Sequence, residues 1–367
     1  MAKCPYCDFN SHVAASIDQN RWMRAYLSEI DRIGAETQGR VLNTVFFGGG
    51  TPSLMQPELV AAIMDRVRAT WPTANDMEVT LEANPTSVEA GRFRGYRDAG
   101  VNRVSMGVQA LNDDDLRRLG RLHSVAEARA AFDIARTTFD RVSFDMIYAR
   151  QDQTYDAWKA ELTEALSMAV DHLSLYQLTI EEGTAFGDRY ARGKLRGLPD
   201  EDSAGDLYFL TQDLCEKAGM PAYEVSNHAQ SGSESRHNTI YWRYGDYAGI
   251  GPGAHGRLTL NGQRYATDTD LAPTRWLTQV ESTGNGDRSR TALEGVDQAG
   301  EYLMMGLRLS DGISMSRYAA LAGQPLNDNK INMLQDLEMI QVLGDTLKTT
   351  PNGRAVLNAV LRDLLPD

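Results

Sequence analysis

The sequence predicts an α/β fold: a barrel of parallel strands followed by a C-terminal helical, winged-helix-like domain. Three observations predict it. Short apolar, β-prone segments alternate with amphipathic helical segments through the first half of the chain. Polar residues follow these short segments closely, as at the active rim of a parallel barrel. Beyond residue 291 the sequence is mainly helical and contains a segment that resembles a β-hairpin wing.

The first half of the chain alternates helices with strands. Trp22, Tyr26 and Ile30 recur at helical spacing and predict an amphipathic helix. Apolar, β-prone segments predict strands at 43–47, 79–82, 103–106, 142–148 and 173–178. Helices are predicted at 57–69 and 157–168, and from residues 87, 113 and 124. This alternation requires parallel pairing through right-handed crossovers, in either a barrel or a doubly wound sheet.

Polar residues at the strand ends favour the barrel. In a parallel barrel such positions gather on one rim, where active sites are built. The residues that follow the predicted strands in this way are Gly49, Thr51, Glu82, Gln109, Asp145 and Thr179. A simpler interpretation is that strand ends are polar because they meet solvent. The recurrence of Glu, Gln and Asp on successive strands favours a functional rim.

The second half of the chain has a different pattern. We predict a helix at 200–218 that carries Cys215, a strand at 222–225, helices at 301–309, 315–322 and 331–340, a wing at 347–353 and a last helix ending at Leu365. The predicted organisation is a barrel core over 1–200, a barrel-completing and linking segment over 201–290, and a C-terminal helical domain over 291–367.

Composition excludes several classes of protein. The 367 residues carry a net charge of −13, so no basic excess exists to neutralise nucleic-acid phosphates. No run of 18 apolar residues predicts a transmembrane helix, and no signal peptide is recognisable. Three cysteines cannot form a disulfide framework. These features predict a cytoplasmic protein that does not bind nucleic acid.

Cys4 and Cys7 form a C-x2-C pair, which suits an iron–sulfur cluster, a zinc site or a redox pair. A structural zinc site needs four ligands, and the sequence has no second C-x2-C and no H-x3-H. A thioredoxin-like pair would follow a strand of a βαβ unit, whereas this pair precedes the first predicted strand. The pattern therefore favours iron–sulfur ligation.

Three consecutive glycines, Gly48 to Gly50, interrupt the first predicted strand and precede Thr51. Glycines let the backbone approach a ligand closely and expose its amides and carbonyls. The loop lacks the Lys-Ser/Thr of a P-loop, which argues against a nucleoside triphosphate. The alternative is a purely structural turn.

Nine motifs, in this order, resemble the HemN/HemW family of the radical S-adenosylmethionine (SAM) superfamily. They span nearly the whole chain and read C-P-Y-C-D-F, F-F-G-G-G-T-P-S, E-A-N-P, S-M-G-V-Q-A-L-N, L-G-R-L-H, D-M-I-Y, L-S-L-Y-Q-L-T-I-E, H-N-T-I-Y-W and Y-A-G-I-G-P-G-A-H-G. The family comprises oxygen-independent coproporphyrinogen III dehydrogenase and the haem chaperone HemW. The resemblance implies a partial (β/α)6 radical-SAM barrel with a C-terminal domain.

The resemblance also implies cofactors and their ligands. Cys4 and Cys7 match two of the three cysteines that hold a [4Fe-4S] cluster in C-x3-C-x2-C. Positions that match SAM contacts in the family are Gly49, Gly50, Thr51, Glu82, Gln109, Arg121, Asp145 and, more weakly, Thr179. The first cysteine of the signature would lie at position zero. We therefore expect an N-terminal truncation or a misassigned start that also removes a first strand, with natural degeneration as the alternative.

Two features favour the chaperone branch of the family. The dehydrogenase has a further cysteine where this chain has Phe9, and His237 begins the H-N-x-x-Y-W motif associated with haem binding in HemW. Imidazole is a common haem-iron ligand. The alternatives are a structural role for His237 and, for the whole protein, a radical SAM enzyme of the dehydrogenase type acting on a porphyrin-like or other substrate.

The chaperone interpretation implies haem and haem-accepting client proteins as partners, with membrane-associated clients and a homodimer among the options. Whether SAM is turned over stays open. One loop departs from the family pattern: residues 149–152 read Ala-Arg-Gln-Asp where relatives usually have Gly-Leu-Pro-Gly.

Overall fold

The structure, a computed structural model, describes residues 4–7, 10, 12 and 16–365. A curled six-stranded sheet forms a half-barrel with the strand order β1-β2-β3-β4-β5-β6. The strands are β1 Leu42–Phe47, β2 Thr73–Ala83, β3 Arg103–Gln109, β4 Arg141–Tyr148, β5 His172–Gln177 and β6 Asn227–Ala229. The first five are parallel, which confirms the predicted barrel class, whereas β6 is antiparallel to β5.

Helices cover the convex side of the half-barrel. The helices up to residue 217 are α1 Gln19–Glu36, α2 Pro57–Thr70, α3 Ser87–Ala90, α4 Phe93–Asp98, α5 Asp113–Arg118, α6 Val125–Thr138, α7 Tyr155–Met168, α8 Ala185–Ala191 and α9 Glu201–Lys217. Alternate strand residues such as Leu81, Met106 and Phe144 are fully buried against these helices. The hydrophobic core therefore lies between the convex face of the sheet and the surrounding helices.

The concave face of the sheet is polar. Side chains that alternate with the core residues point inward, and the register places Glu82 beside Ser105 and Asp145 beside Ser174. Because the outer face supplies the apolar core, the inner face is free to carry polar and charged groups. The candidate site is built on this face.

The prediction of a strand at 222–225 is wrong. This segment is a turn in which the buried Glu224 carboxylate accepts hydrogen bonds from Ser226 N (2.8 Å) and Asn227 Nδ2 (2.6 Å). Tyr223 N also donates to Asn227 O at 3.1 Å. The last strand of the sheet is β6, two residues further on, and the turn explains why it runs antiparallel.

A second sheet follows that the sequence did not predict. The elements are α10 Arg236–Trp242, β7 His255–Leu260, β8 Gln263–Thr269, α11 Pro273–Thr283 and β9 Asp287–Ala292, and β7-β8-β9 form an antiparallel sheet. Helix α11 packs on α1 through Trp276, whose ring lies 5.7 Å from Trp22 and 5.5 Å from Tyr26. Near the cysteines, Asn10 Nδ2 donates to Pro252 O (3.1 Å) and Leu271 O (2.9 Å).

The C-terminal region contains helices and a small sheet. Its elements are α12 Gly295–Gly306, β10 Ile313–Ser314, α13 Met315–Ala322, α14 Asp328–Asp336, β11 Ile340–Leu343, β12 Thr346–Thr349, α15 Pro351–Ala355 and α16 Leu357–Leu364. The strand order is β10-β12-β11.

The predicted wing at 347–353 is displaced from the observed hairpin. The hairpin joins β11 to β12 through Gly344, whose φ of +61° suits a tight turn, and the helix predicted at 331–340 ends at Asp336. Residues 351–355 are helical because Thr350 caps them by accepting from Gly353 N. No helix in the described part of the chain is long and apolar enough to cross a membrane.

Candidate functional site

The two cysteines lie on a tight turn at the mouth of the half-barrel. Cys7 N donates to Cys4 O at 3.3 Å, and both residues are half-buried. The turn is held from the barrel side because Phe186 N donates to Pro5 O at 2.8 Å. Arg121 Nη1 lies 3.3 Å from Cys4 Sγ, so a guanidinium faces this thiol. The cysteine turn is therefore held by contacts from two separate segments of the chain, around Arg121 and Phe186.

The glycine loop follows β1 and meets β2. Gly49 has φ +113°, and its N–H donates to Glu82 Oε2 at 3.1 Å. Among the described residues, no atom beyond its chain neighbours lies within 4 Å of where a Cβ of Gly49 would sit. The loop therefore presents exposed backbone at the rim, next to a carboxylate.

A buried glutamate that the sequence analysis missed holds this loop. Glu89 accepts hydrogen bonds from Ser53 Oγ and from Asn84 N (2.7 Å). Because Ser53 follows the glycine loop and Asn84 ends β2, one carboxylate ties the two rim segments together. Asn84 lies in the E-A-N-P motif, but no local pattern indicates its partner.

Glu82 and Asp145 point into the concave face from β2 and β4. Burial and the nearby Asp145 carboxylate raise the pKa of Glu82 to about 8, although Gly49 N–H partly opposes this. Burial raises the pKa of Asp145 to about 6, opposed by Ser174, Ser105 and two arginines. Neither carboxylate has an ion-pair partner within 4 Å in the described part of the chain. A cationic ligand bound beside them would stabilise the ionised form of both carboxylates.

Gln109 and Arg121 complete the rim above β3. Gln109 has φ +73° at an irregularity where β3 pairs with β4, and it is mostly buried. Arg121 Nη2 donates to Asn84 Oδ1 (2.8 Å) and Gly107 O (3.0 Å). The structure thus forms two sets of contacts at the rim: Arg121 links the cysteine turn to Asn84, and Glu82, two residues before Asn84 on β2, binds Gly49.

Thr179 lies apart from this group. It is exposed two residues beyond β5, and no hydrogen bond within residues 16–365 joins it to the rim carboxylates. Gly50 and Thr51 stay at the mouth, where Thr51 Oγ1 donates to Gly50 O. Phe9 falls outside the described residues.

His237 lies lower on the concave side, in α10 against β1. Its Nδ1 is 3.2 Å from Thr44 Oγ1, and its ring stacks on Phe46 with centroids 4.7 Å apart. Glu78 Oε1 accepts from His237 N at 3.1 Å. Burial lowers the pKa of His237 to about 4, so the imidazole is neutral at pH 7.

Below the rim carboxylates, charges are paired. Glu78 is buried, and its Oε2 lies 3.0 Å from Arg141 Nη1, while Arg141 Nε lies 3.0 Å from Asp171 Oδ2. His172 is also buried here, with Nδ1 2.8 Å from Ser143 Oγ and Nε2 3.0 Å from Tyr223 OH. Glu78, Arg141 and His172 thus find their partners within the protein, whereas Asp171 Oδ1 is buried without a hydrogen-bond partner among the described residues.

Cys215 does not join the cysteine turn. It is fully buried in α9 within the outer core, and burial raises the pKa of its thiol to about 12. Among the described residues, no group of three or more His, Cys, Asp or Glu side chains is placed to hold a metal ion. The thiols of Cys4 and Cys7 are the two cysteine side chains at the mouth of the half-barrel.

Two family models match the chain. The Radical SAM superfamily model matches residues 1–163, and the HemN C-terminal domain model matches residues 293–356. The matched segments contain the cysteine turn with most of the rim, and the C-terminal sheet with its helices.

Curated relatives match over the full length of the chain. The protein named "Heme chaperone HemW" from Escherichia coli (strain K12) is 37% identical over 100% of this chain and 95% of its own length. A mitochondrial radical S-adenosyl methionine domain-containing protein 1 from Danio rerio is 36% identical over 100% of this chain and 84% of its own.

A solved structure shares the fold. The structure described as "Coproporphyrinogen III oxidase (HemN) from Escherichia coli is a Radical SAM enzyme" superposes with a TM-score of 0.81 at 20% identity, covering 99% of this chain and 87% of the other.

Proposed function

The chain belongs to the HemW family of the radical SAM superfamily, and from this premise we propose that it is a haem chaperone. In this function it binds haem together with a SAM-ligated [4Fe-4S] cluster and donates haem to client proteins. The observation that carries the proposal is that the concave face holds two kinds of group together. At the rim, the Glu82 and Asp145 carboxylates have no ion-pair partner among the described residues and suit a cationic ligand, and below them His237 offers a neutral, oriented imidazole. Full-length similarity to relatives named haem chaperones supports it.

The rim would hold the cluster and SAM. Cys4 and Cys7 would ligate iron, and Arg121 beside Cys4 offsets thiolate charge. Glu82 and Asp145 would accept from the cationic groups of SAM, while the backbone of Gly49 and Gly50 would approach its methionine end. A reduced cluster of this kind supplies an electron to SAM when both are bound.

His237 would ligate haem iron. We assign the proton to Nδ1, which then donates to Thr44 Oγ1 and leaves the Nε2 lone pair for the metal. Stacking on Phe46 fixes the ring plane, and the lowered pKa keeps the lone pair available at neutral pH. These are the conditions that a haem-binding imidazole needs.

A haem titration followed in the Soret region tests the function. His237→Ala should shift or weaken the Soret band, whereas His255→Ala, a change of an exposed histidine on β7, should leave it unchanged. An identical spectrum in all three proteins would remove His237 as a ligand. Failure of the unaltered protein to bind haem would overturn the chaperone proposal itself.

An enzymatic function is the alternative, because the rim group is suited to SAM. A radical SAM enzyme of the coproporphyrinogen III dehydrogenase type would form protoporphyrinogen in an anaerobic assay with SAM and a reductant. Such turnover requires the propionate side chains of coproporphyrinogen III to be held close to the radical derived from SAM. The chaperone proposal expects no conversion by cluster-loaded protein, and product formation would replace it.

The proposed partners are haem and haem-accepting clients, including membrane-associated ones, and the proposed location is the cytoplasm. A homodimer is a further proposal. Size-exclusion chromatography with light scattering, with and without haem, tests the oligomeric state.

A further inference from the structure

A chain of hydrogen bonds runs from the C-terminal region to Asp145 on the concave face. Arg308, which follows α12, lies with Nη2 3.2 Å from Glu224 Oε2, and the Glu224 side chain is fully buried. Glu224 Oε1 accepts from Asn227 Nδ2 at 2.6 Å. Ser174 Oγ donates to Asn227 Oδ1 at 2.8 Å, and Ser174 is also hydrogen-bonded to Asp145. Asn227 therefore lies two hydrogen bonds away from a rim carboxylate.

The carboxylate of Glu224 fixes the orientation of the Asn227 amide. A carboxylate paired with a guanidinium only accepts hydrogen bonds, so the NH2 end of the amide must face Glu224. The carbonyl oxygen of Asn227 then faces Ser174. Because an amide carbonyl cannot donate, the Ser174 hydroxyl must be the donor in this contact. Asn227 and Ser174 are both buried, which holds the arrangement in place.

Asn227 and Asp145 compete for the single proton of the Ser174 hydroxyl. A serine has one hydrogen to donate, and here two acceptors face it. Ser105, on the other side of Asp145, differs in this respect. Its Oγ donates to Asp145 Oδ1 at 3.2 Å and has no second acceptor in the described part of the chain. The two serines that flank Asp145 are therefore unequal donors.

The other groups around Asp145 come from four segments of the chain. Those that face it are Glu82 on β2, Arg103 and Ser105 on β3, Ser174 and Tyr176 on β5, and Arg121 beyond α5. The arginines and serines favour the ionised carboxylate, whereas burial opposes it. By holding the Ser174 proton, Asn227 keeps one acceptor position of Asp145 open.

We propose that Asn227 is a positioning residue for Asp145, because it draws the Ser174 hydroxyl away and leaves the carboxylate to receive a hydrogen bond from a bound ligand. The ligand class that this arrangement favours carries hydroxyl or ammonium donors. The identity of this ligand as SAM rests on the proposed function. The competition for the Ser174 proton does not.

Titration of the Asp145 carboxyl in ligand-free protein, followed by carbon-13 NMR, tests the competition. The signal of Asp145 is identified by its loss in Asp145→Asn. Ser105→Ala should raise the pKa of Asp145 by about 1, since a full hydrogen bond to the carboxylate is lost. Ser174→Ala should raise it by about half as much or less, because Asn227 holds most of that proton. An equal or larger rise in Ser174→Ala would overturn the proposal.

Asn227→Ala gives the direct measurement. Ser174 then donates to Asp145 alone, and the pKa of Asp145 should fall by about 0.5 to 1. In a Ser174→Ala background the same substitution should leave this pKa unchanged, since no proton remains to be redirected. No fall in the single variant, or an equal fall in both backgrounds, would overturn the proposal. The comparison of the two serines decides the question even if Asn227→Ala does not fold.

Calorimetric titration of cluster-loaded protein with SAM extends the test to the ligand. Asn227→Ala should weaken SAM binding about three- to tenfold, because the ligand then competes with Ser174 for Asp145. The matched control is Asn102→Ala, which removes a half-buried amide bonded only to the backbone of Val79 and Met77 and should leave SAM affinity unchanged. Equal affinity in Asn227→Ala and the unaltered protein would overturn the role of Asn227 in ligand binding. A protein whose Asp145 titrates as expected but which binds no SAM would overturn the proposed SAM site and keep the positioning of Asp145.

Discussion

Glu78 and Glu82 lie four residues apart on β2, on the same concave face, and have opposite surroundings. Glu78 is buried with Arg141 at 3.0 Å and accepts from the backbone N–H of Arg236 (3.3 Å) and His237 (3.1 Å). Glu82 accepts one backbone N–H, from Gly49, and faces Asp145. Glu78 is paired within the protein, whereas Glu82 has no ion-pair partner among the described residues.

This difference shows which polar residues of a barrel interior stabilise the fold and which serve the site. Paired charges in the lower layer hold α10 and the sheet together. Burial raises the pKa values of both rim carboxylates, the Asp145 carboxylate raises that of Glu82 further, and Arg103 and Arg121 offset only part of the rise at Asp145. Under the proposed function, a bound cation would lower both pKa values.

Removing the charge of Glu78 should have the largest effect. Glu78→Gln leaves Arg141 partly uncompensated in a buried layer and should lower the free energy of unfolding by about 3 kcal/mol. Glu82→Gln, the same change four residues on, should alter it by less than about 1 kcal/mol. Urea unfolding at pH 7 measures both. Equal losses would mean that both carboxylates are structural.

SAM affinity should respond in the reverse order. Glu82→Gln removes a carboxyl group that can ionise beside the cationic groups of SAM, and it should weaken SAM binding to cluster-loaded protein about tenfold or more. The matched variant is Ser105→Ala, which removes a neutral hydroxyl next to Asp145 in the same layer and should have a smaller effect. Calorimetric titration gives the dissociation constants, and unaltered affinity in Glu82→Gln would place the SAM site elsewhere.

The pH dependence of stability should separate the two carboxylates further. The pKa of Glu82 is raised from 4.5 to about 8, so the folded protein binds this proton more tightly than the unfolded chain. The free energy of unfolding should therefore fall as pH rises from about 4.5 to about 8, by at most about 1.4 kcal/mol per pH unit from this group. Glu82→Gln should flatten the slope in ligand-free protein. Parallel curves for the two proteins would contradict the raised pKa.

The smallest effects are expected from alanine at two glycines of positive φ, one in the rim loop and one far from it. Gly49→Ala and Gly39→Ala both place a side chain at positive φ, +113° and +76°, and at neither position does a described atom beyond the chain neighbours lie within 4 Å of the new Cβ. Each should lower the free energy of unfolding by about 1 kcal/mol. Only Gly49→Ala should also weaken SAM binding, because Gly39 lies in a turn after α1. A loss of affinity in both variants would point to a general effect of destabilisation.

The parallel part of the fold could be predicted from the sequence because its strands are apolar and its helices amphipathic. Strands β3 and β4 lie within one to three residues of their predicted bounds. The sheet β7-β8-β9 was missed because charged and polar residues dominate it. Its arginines find partners far along the chain, as Arg257 does with Glu301 at 2.8 Å. The turn before β6 was missed because Glu224 bonds to neighbours that no apolar pattern reveals.

The rim of the candidate site was predictable for a related reason: parallel strands end together, so polar residues after each strand converge. The positions of Glu82, Asp145 and Gln109 follow that logic. The sequence could not distinguish Glu78 from Glu82, since the groups that satisfy Glu78 come from residues 235–237 and 141. The role of Glu89 likewise depends on Ser53, thirty-six residues away.

The anchoring of the N-terminal segment has a consequence for synthesis of the protein. Asn10 binds the backbone of Leu271, 261 residues later, and α1 packs on α11. At a translation rate of about 5 to 20 residues per second, roughly 10 to 50 s separate the emergence of these partners from the ribosome. Cys4 and Cys7 therefore leave the ribosome before the segments that pack around the N-terminal segment have been synthesised. Under the proposed function, loading of iron and sulfur is then expected late, after most of the polypeptide has been released.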